Sequence, residues 1–363
     1  VCNGSVITSQ AARGPSRHTR STVSARRRRA LIGAVLALLL AHAAFASSSS
    51  SGPAVDPHRV PATGQAFNER QAPLATARWP KQGQAALMFD GGRPGASPHQ
   101  RAAPIASVAK VMTAYLTLER YPLSAAQDGF TITVTEDEAR FEARGQSVVA
   151  VRAGEQLTER QLLEALLIPS GNNIAWMLAA KVAGSETRFV AEMNAQARAL
   201  GMHHTTYTDP SGFDPATVST AADQLRVFER AMRFGVFRQI VSMASVTLPV
   251  AGTLRNYNPL IAEGYGGKTG SDSAAGGCLA FFTDVAVDGR PRTAMGVVLG
   301  QGQGSNTTAL LAATGVAARR LVESVAAGTG AQPAASGRPR FLTPGRRAAA
   351  DVMTTDSLPT GEL

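Results

Sequence analysis

Pro104-Ile-Ala-Ser-Val-Ala-Lys-Val-Met-Thr-Ala-Tyr-Leu-Thr-Leu-Glu119 is the stretch whose reading decides the fold. From Val108 onward it holds no Gly or Pro, and apolar Val108, Val111, Met112, Tyr115 and Leu116 recur at helical spacing, so it reads as a buried helix. Pro104 suits a helix entry. Residues three apart share a helix face, which puts the Ser107 hydroxyl beside the Lys110 amine. A serine hydroxyl becomes a good nucleophile only when a neighbouring base takes its proton. A lysine serves as that base only when neutral, which requires burial or a second cation nearby. Taken alone, Ser-x-x-Lys is better explained as a plain core helix with one snorkelling lysine.

Working outward, Ala85-Ala-Leu-Met-Phe-Asp90 reads as an apolar strand before this helix, ended by a turn at Gly91-Gly92. Residues 130–135 alternate as a strand does, and 147–151 form a short extended piece. Helices are expected over 159–168, with Thr158 as cap and Pro169 as stop, then over 173–182, 186–200 and 220–234. Asp209-Pro-Ser-Gly-Phe-Asp-Pro215 is turn chemistry, and Glu263–Gly267 reads as a flexible approach to Lys268. Residues 278–287 and 292–299 bracket Asp288-Gly289 as an antiparallel hairpin, and 307–326 close with a helix. Strands near both ends with helices between and after predict a mixed α/β fold, with one antiparallel sheet built from the two ends of the chain and flanked by helices.

The 363 residues carry a net charge of +10, but residues 1–46 hold seven Arg and no acid, and without them the net charge is +3. No concentrated basic surface remains to bind nucleic acid. Arg26–Arg29, the apolar run 30–41 and Ala44-Phe-Ala46 follow the signal-peptide pattern, so cleavage after Ala46 is expected. An uncleaved leader is the only membrane tether the sequence suggests. The expected division is a signal peptide at 1–46, a flexible linker at 47–78, one catalytic domain at 79–327 and a disordered tail at 328–363. Of the 36 basic residues only Lys81, Lys110, Lys181 and Lys268 are lysines; base composition explains the bias but not where they fall, so each is worth inspecting as a place that needs an amine. With Cys2 in the leader and Cys278 in the body, no internal disulfide is expected in the mature chain.

Two further motifs follow Ser107-x-x-Lys110 in order. Ser170-Gly-Asn172 sits in a turn after Pro169, and Lys268-Thr-Gly270 follows a glycine-rich run that lets backbone approach a ligand closely. Each has a bland reading, a polar connector in one case and an edge-strand lysine in the other; the ordered set of three is rare by chance. The order resembles that of penicillin-binding proteins and serine β-lactamases. The fuller match, through Ala106–Ala114, Leu167–Asn173, Leu200-Gly-Met202, Ser219-Thr-Ala221, Asn256-Tyr-Asn258, Gly267–Gly270 and Gly277-Cys-Leu279, is similar to the low-molecular-mass D-alanyl-D-alanine carboxypeptidases and covers about 85–326. That resemblance implies a transpeptidase-like fold with a helical subdomain. It implies Ser107 as nucleophile, Lys110 as base and Ser170 as proton relay. Asn172, Lys268, Thr269 and Gly270 would bind substrate, with the backbone N–H groups of Ser107 and Ser271 as oxyanion hole. It implies peptidoglycan stem peptides as substrates, β-lactams as covalent inhibitors, no metal or other cofactor, and an exported enzyme. Asn173 stands where that family often has Asp.

Rival chemistries fit less well. No Glu-x-x-Leu-Asn stretch supplies the second carboxylate of a class A β-lactamase, and no Gly-x-Ser-x-Gly points to a Ser-His-Asp hydrolase. His99, His203 and His204 read as surface residues. A P-loop fails at Ala262, where its first Gly belongs. A non-catalytic wall-binding relative of the same fold stays open at this level.

Overall fold

The computed structural model describes residues 72–124, 126–141, 145–287 and 290–328, all within one unit, Ala62–Leu363. The expected leader, most of the linker and the tail beyond 328 lie outside the described residues. The chain runs α1 (Ala72–Ala75), β1 (Gln84–Phe89), β2 (Gly95–Ala96), β3 (Ala103–Pro104), a 3-10 turn at Ala106–Ala109 and α2 (Lys110–Arg120). Then come β4 (Thr131–Thr133), α3 (Glu136–Ala139), β5 (Gln156–Thr158), α4 (Glu159–Leu167), α5 (Asn172–Ala183) and α6 (Glu186–Ala199). After β6 (Val218–Ser219), α7 (Ala221–Ala231), α8 (Gly235–Val241), β7 (Ser245–Leu248) and β8 (Gly252–Arg255) follow β9 (Gly266–Asp272), β10 (Gly276–Val287), β11 (Arg290–Gln301) and α9 (Thr307–Gly328).

The main sheet is antiparallel with strand order β2-β1-β11-β10-β9, so the first long strand does pair with the last, Gln84 opposite Leu299. Both faces are covered, and the strand period of two sorts residues between them. Ala86 and Met88 of β1, Ala280 of β10 and Val297 of β11 face the helical layer with Val108 and Met112. Ala85, Leu87, Leu279, Phe281 and Val298 face α9, against Leu321 and Val325. This two-sided burial is why β1 is apolar at consecutive positions and not alternating.

The helix starts follow local capping chemistry. Thr158 caps α4, as the sequence predicts, and Gln161 completes a reciprocal capping box; Ser185 and Thr220 cap α6 and α7. Gly184, at φ 77°, closes α5.

Several expectations change. Residues 130–135 give only β4, paired with β5 in a separate two-stranded sheet. Residues 147–151 join no strand; the Asn173 side chain takes the place of a partner, accepting from Val149 N at 3.0 Å and donating to Val149 O at 2.8 Å. Pro104 belongs to β3, paired with Val218, and the helical rise begins as a 3-10 turn. The end of the expected linker, 72–78, contains α1, whose Leu74 packs with the α9 cluster. Of the run expected as a flexible approach, 263–267, Glu263 ends a 3-10 turn capped by Gly264, and Gly266 and Gly267 already belong to β9. His99, His203 and His204 are exposed, as expected.

Candidate active site

The three sequence motifs meet where the 3-10 turn, the α4–α5 turn and β9 converge. Ser107 is half-buried on the 3-10 turn, and Lys110, one turn on, is fully buried. Lys110 Nζ lies 2.8 Å from Ser107 Oγ, 2.6 Å from Asn172 Oδ1 and 2.9 Å from the Ser211 carbonyl oxygen. Three acceptors or partners therefore surround one amine. A neutral amine has two hydrogens and one lone pair. With its hydrogens given to Asn172 and Ser211, both acceptors only at those atoms, the lone pair faces the Ser107 hydroxyl. That is the arrangement a base needs to take the serine proton.

Electrostatics favour this form. Burial drives the Lys110 pKa well below the usual lysine range, the charge of Lys268 pushes the same way, and the charge of Asp209 opposes them. Lys268 is also fully buried, and burial lowers its pKa to about 7. Its Nζ donates to Ser170 Oγ at 2.9 Å and to the Thr269 carbonyl at 2.8 Å. Ser170 thus pairs with Lys268, while Lys110 pairs with Ser107 and Asn172.

Backbone shape holds these groups in place. Ser170 is itself left-handed, at φ 69°, and Ala106, immediately before Ser107, is at φ 46°. Non-glycine residues in this region are uncommon, and packing must hold them there. Below Ala106 lies Gly212, at φ 76°; a Cβ on it would stand 2.0 Å from the Ala106 carbonyl oxygen, so the loop and the turn touch backbone to backbone. On the other side β9, the sheet's edge strand, approaches as closely. A Cβ on Gly270 would lie 2.8 Å from Ser107 N and 3.0 Å from Ile105 O. Ser271 follows directly, half-buried, so its backbone borders the same turn. Thr269 is buried.

The sequence motifs did not reveal every member. Asn172 donates from Nδ2 to Gln146 Oε1 at 2.7 Å, leaving one amide hydrogen. Ser211 contributes a carbonyl, which no side-chain motif records. Asp209 accepts from Ser211 N and Oγ, Gly212 N, Phe213 N and Thr217 Oγ1. The one available signal was the turn composition of 209–215. Among the described residues no group of three His, Cys, Asp or Glu is placed to hold a metal ion, and no helix is long and apolar enough to cross a membrane.

The fold is that of a serine DD-transpeptidase. The Streptomyces K15 DD-transpeptidase crystal structure superposes with a TM-score of 0.59 at 26% identity, over 69% of this chain and 99% of that one. Residues 96–302 match the Peptidase_S11 family, described as D-alanyl-D-alanine carboxypeptidase, and the chain belongs to that family. The D-alanyl-D-alanine carboxypeptidase DacB2 of Mycobacterium tuberculosis is 36% identical over 181 residues, 47% of this chain and 59% of that protein. A D-alanyl-D-alanine endopeptidase of Pseudomonas aeruginosa is 33% identical over 192 residues, 50% of this chain and 60% of that protein. The chain thus spans about three-fifths of the length of these curated relatives.

Proposed function

We propose that this protein is a serine-type D-Ala-D-Ala carboxypeptidase that trims peptidoglycan stem peptides through an acyl-enzyme. The observation that carries the reading is the 2.8 Å contact between a fully buried Lys110 amine and the Ser107 hydroxyl, with the other two Lys110 contacts taken by acceptors.

In this reading Ser107 Oγ attacks the carbonyl carbon of the terminal peptide bond while Lys110 takes its proton. The oxyanion forms between the backbone N–H groups of Ser107 and Ser271. The C–N bond then breaks, and D-Ala leaves as its amine receives, by way of the Ser170 hydroxyl, the proton that Lys110 took from Ser107. Water attacks the resulting ester, gives its proton back to that network and frees Ser107. Protonated Lys268, with Thr269 and Gly270, holds the substrate's terminal carboxylate, and Asn172 offers its remaining amide hydrogen to the substrate backbone. No cofactor enters any step. β-Lactams acylate the same serine, because their ring carbonyl and carboxylate stand where the substrate's do.

In this reading the enzyme acts outside the cytoplasmic membrane, exported by the leader at 1–46, with a linker leading into the catalytic domain and no nucleic-acid partner. A non-catalytic wall-binding role is disfavoured because the Lys110 amine touches both Ser107 and Asn172, and the Lys268 amine touches Ser170. The test is D-Ala release from a diacetylated tripeptide by the purified protein, alongside labelled penicillin read by intact mass. Release by wild type and loss of both signals in Ser107→Ala are expected. A label that persists in Ser107→Ala overturns the nucleophile. Cross-linked muropeptides in the same assay measure endopeptidase action, the activity named for the Pseudomonas relative.

A further inference from the structure

We infer that Asp209 is a positioning residue for the Lys110 base: it fixes the loop whose Ser211 carbonyl takes one Lys110 hydrogen, and its charge sets the pH range in which acylation runs. The inference rests on the proposed role of Lys110.

Asp209 is buried, at 6% exposure, in the tight segment between α6 and β6. Oδ2 accepts from Ser211 Oγ at 2.5 Å, Phe213 N at 3.0 Å and Ser211 N at 3.1 Å, and Oδ1 accepts from Thr217 Oγ1 at 2.8 Å and Gly212 N at 3.1 Å. Five donors fill both oxygens. The carboxylate therefore has no room to hold and activate a water, and it is not a deacylation base. Its work is geometric and electrostatic.

The geometry is direct. Residues 211–213 wrap around Asp209, which turns the Ser211 carbonyl toward Lys110 Nζ, 2.9 Å away. The neighbouring carbonyl of Pro210 accepts from Thr113 Oγ1 of α2 at 2.6 Å, which ties the loop to the helix that carries Lys110. Gly212 rests on the Ala106 backbone. One carboxylate thus organises the loop that braces both members of the Ser107–Lys110 pair.

The electrostatics are equally specific. Two charged groups act on Lys110: Lys268 from β9, which favours the neutral amine, and Asp209 from the loop, which favours the ammonium. The contacts from α5 and the 3-10 turn, Asn172 and Ser107, are uncharged. Removing the Asp209 charge leaves Lys268 unopposed and lowers the pH at which Lys110 becomes neutral. Asn at this position also turns an amide N–H₂ toward backbone N–H groups, which loosens the Ser211 carbonyl.

The experiment measures the rate of Ser107 acylation by a labelled penicillin against pH for wild type, Asp209→Asn and Asp209→Glu, with thermal melts for each. Wild type must be acylated; if it is not, the reading of Ser107 and Lys110 fails instead. For Asp209→Asn the expected result is an acid limb moved down by about half a pH unit or more and a plateau about tenfold lower. Asp209→Glu keeps the charge and is expected to keep the wild-type limb. A merely structural residue would lower the melt and the plateau without moving the limb, so a folded Asp209→Asn with an unmoved limb overturns the inference. If Asp209→Asn does not fold, Asp209→Thr, which keeps one acceptor oxygen and removes the charge, takes its place; the same downward move of the acid limb is expected, and an unmoved limb overturns the inference.

Discussion

Lys268 and Lys110 are both fully buried, and the charge of Lys268 helps to hold Lys110 in its neutral form. In the proposed mechanism the two amines have opposite tasks: Lys110 gives up its proton to act on Ser107, and Lys268 keeps its own to hold a carboxylate. Arg cannot be deprotonated in proteins, so Lys110→Arg is expected to abolish D-Ala release and penicillin acylation although the charge is kept. Lys268→Arg keeps a cation that pairs with carboxylates, and kcat/KM is expected to fall by about 1–3 kcal/mol in transition-state terms and not to vanish. The two kcat/KM values decide it: a more active Lys110→Arg would reverse the assigned roles.

The alkaline side of the pH profile is expected to follow Lys268. Burial places its pKa at about 7 in the free protein, so its positive charge is present below that pH and lost above it. Because kcat/KM reports the free enzyme, it is expected to fall as pH rises through this range, with the loss carried by KM. In Lys268→Arg that limb is expected to disappear. An alkaline limb that survives in the Arg variant would assign it to another group.

Gly270→Ala tests the close approach of β9. Its methyl group would stand 2.8 Å from Ser107 N and 3.0 Å from Ile105 O, both backbone atoms that cannot swing aside. The strand must move away, at a cost of about 1–3 kcal/mol in stability. Acylation is expected to drop more sharply than the melting temperature, because Ser107 and Ser271 part as the strand retreats. A variant that acylates at the wild-type rate would show that this contact does not set the site.

Glu159 gives the fold a pH dependence remote from the chemistry. It is 1% exposed in the first turn of α4, its Oε1 has no hydrogen-bond partner, and burial raises its pKa from 4.5 to about 7 against a backbone hydrogen bond to Phe130. Between those two values the folded state holds more protons than the unfolded chain, so this group's contribution to stability falls as pH rises from about 4.5 to about 7. Glu159→Gln removes the ionisation and is expected to stabilise the protein at pH 8 by about 1–3 kcal/mol, with little effect at pH 4. Denaturant melts of both proteins at the two pH values provide the measurement.

What could be read in advance follows from what leaves a side-chain signature. The hairpin around 288–289, the capped helix after Thr158 and the Ser107–Lys110 contact each rest on a residue pattern with a local cause. β9 hid behind Gly264, Gly266 and Gly267, because glycines read as loop until the neighbours that need them are known; Gly266, for instance, lies under the Phe282 ring. The 147–151 segment kept an extended pattern but found its partner in one amide side chain, which strand periodicity does not encode. Helix α8 and the β7–β8 hairpin went unanticipated, being short elements whose apolar residues are placed by the helical layer they pack on. In the site itself the side chains of the three motifs were legible. Ser211 was not, because it works through its carbonyl, and Asp209 was not, because a turn aspartate looks alike whether or not its loop bears on a base.

The pairing of β1 with β11 has a consequence for when the molecule comes to exist. Gln84 leaves the ribosome about two hundred residues before its partner Leu299. Until β11 has been made, β1 has no strand neighbour but the two residues of β2, and no strand links β9 to β1 in the sheet. Local helices can form early, yet the Ser107–Ser271 boundary and the Lys268 charge beside Lys110 arrive only with the last third of the described chain. Assembly is therefore late, and a growing chain stays without the two-lysine cluster until nearly the whole domain has been made.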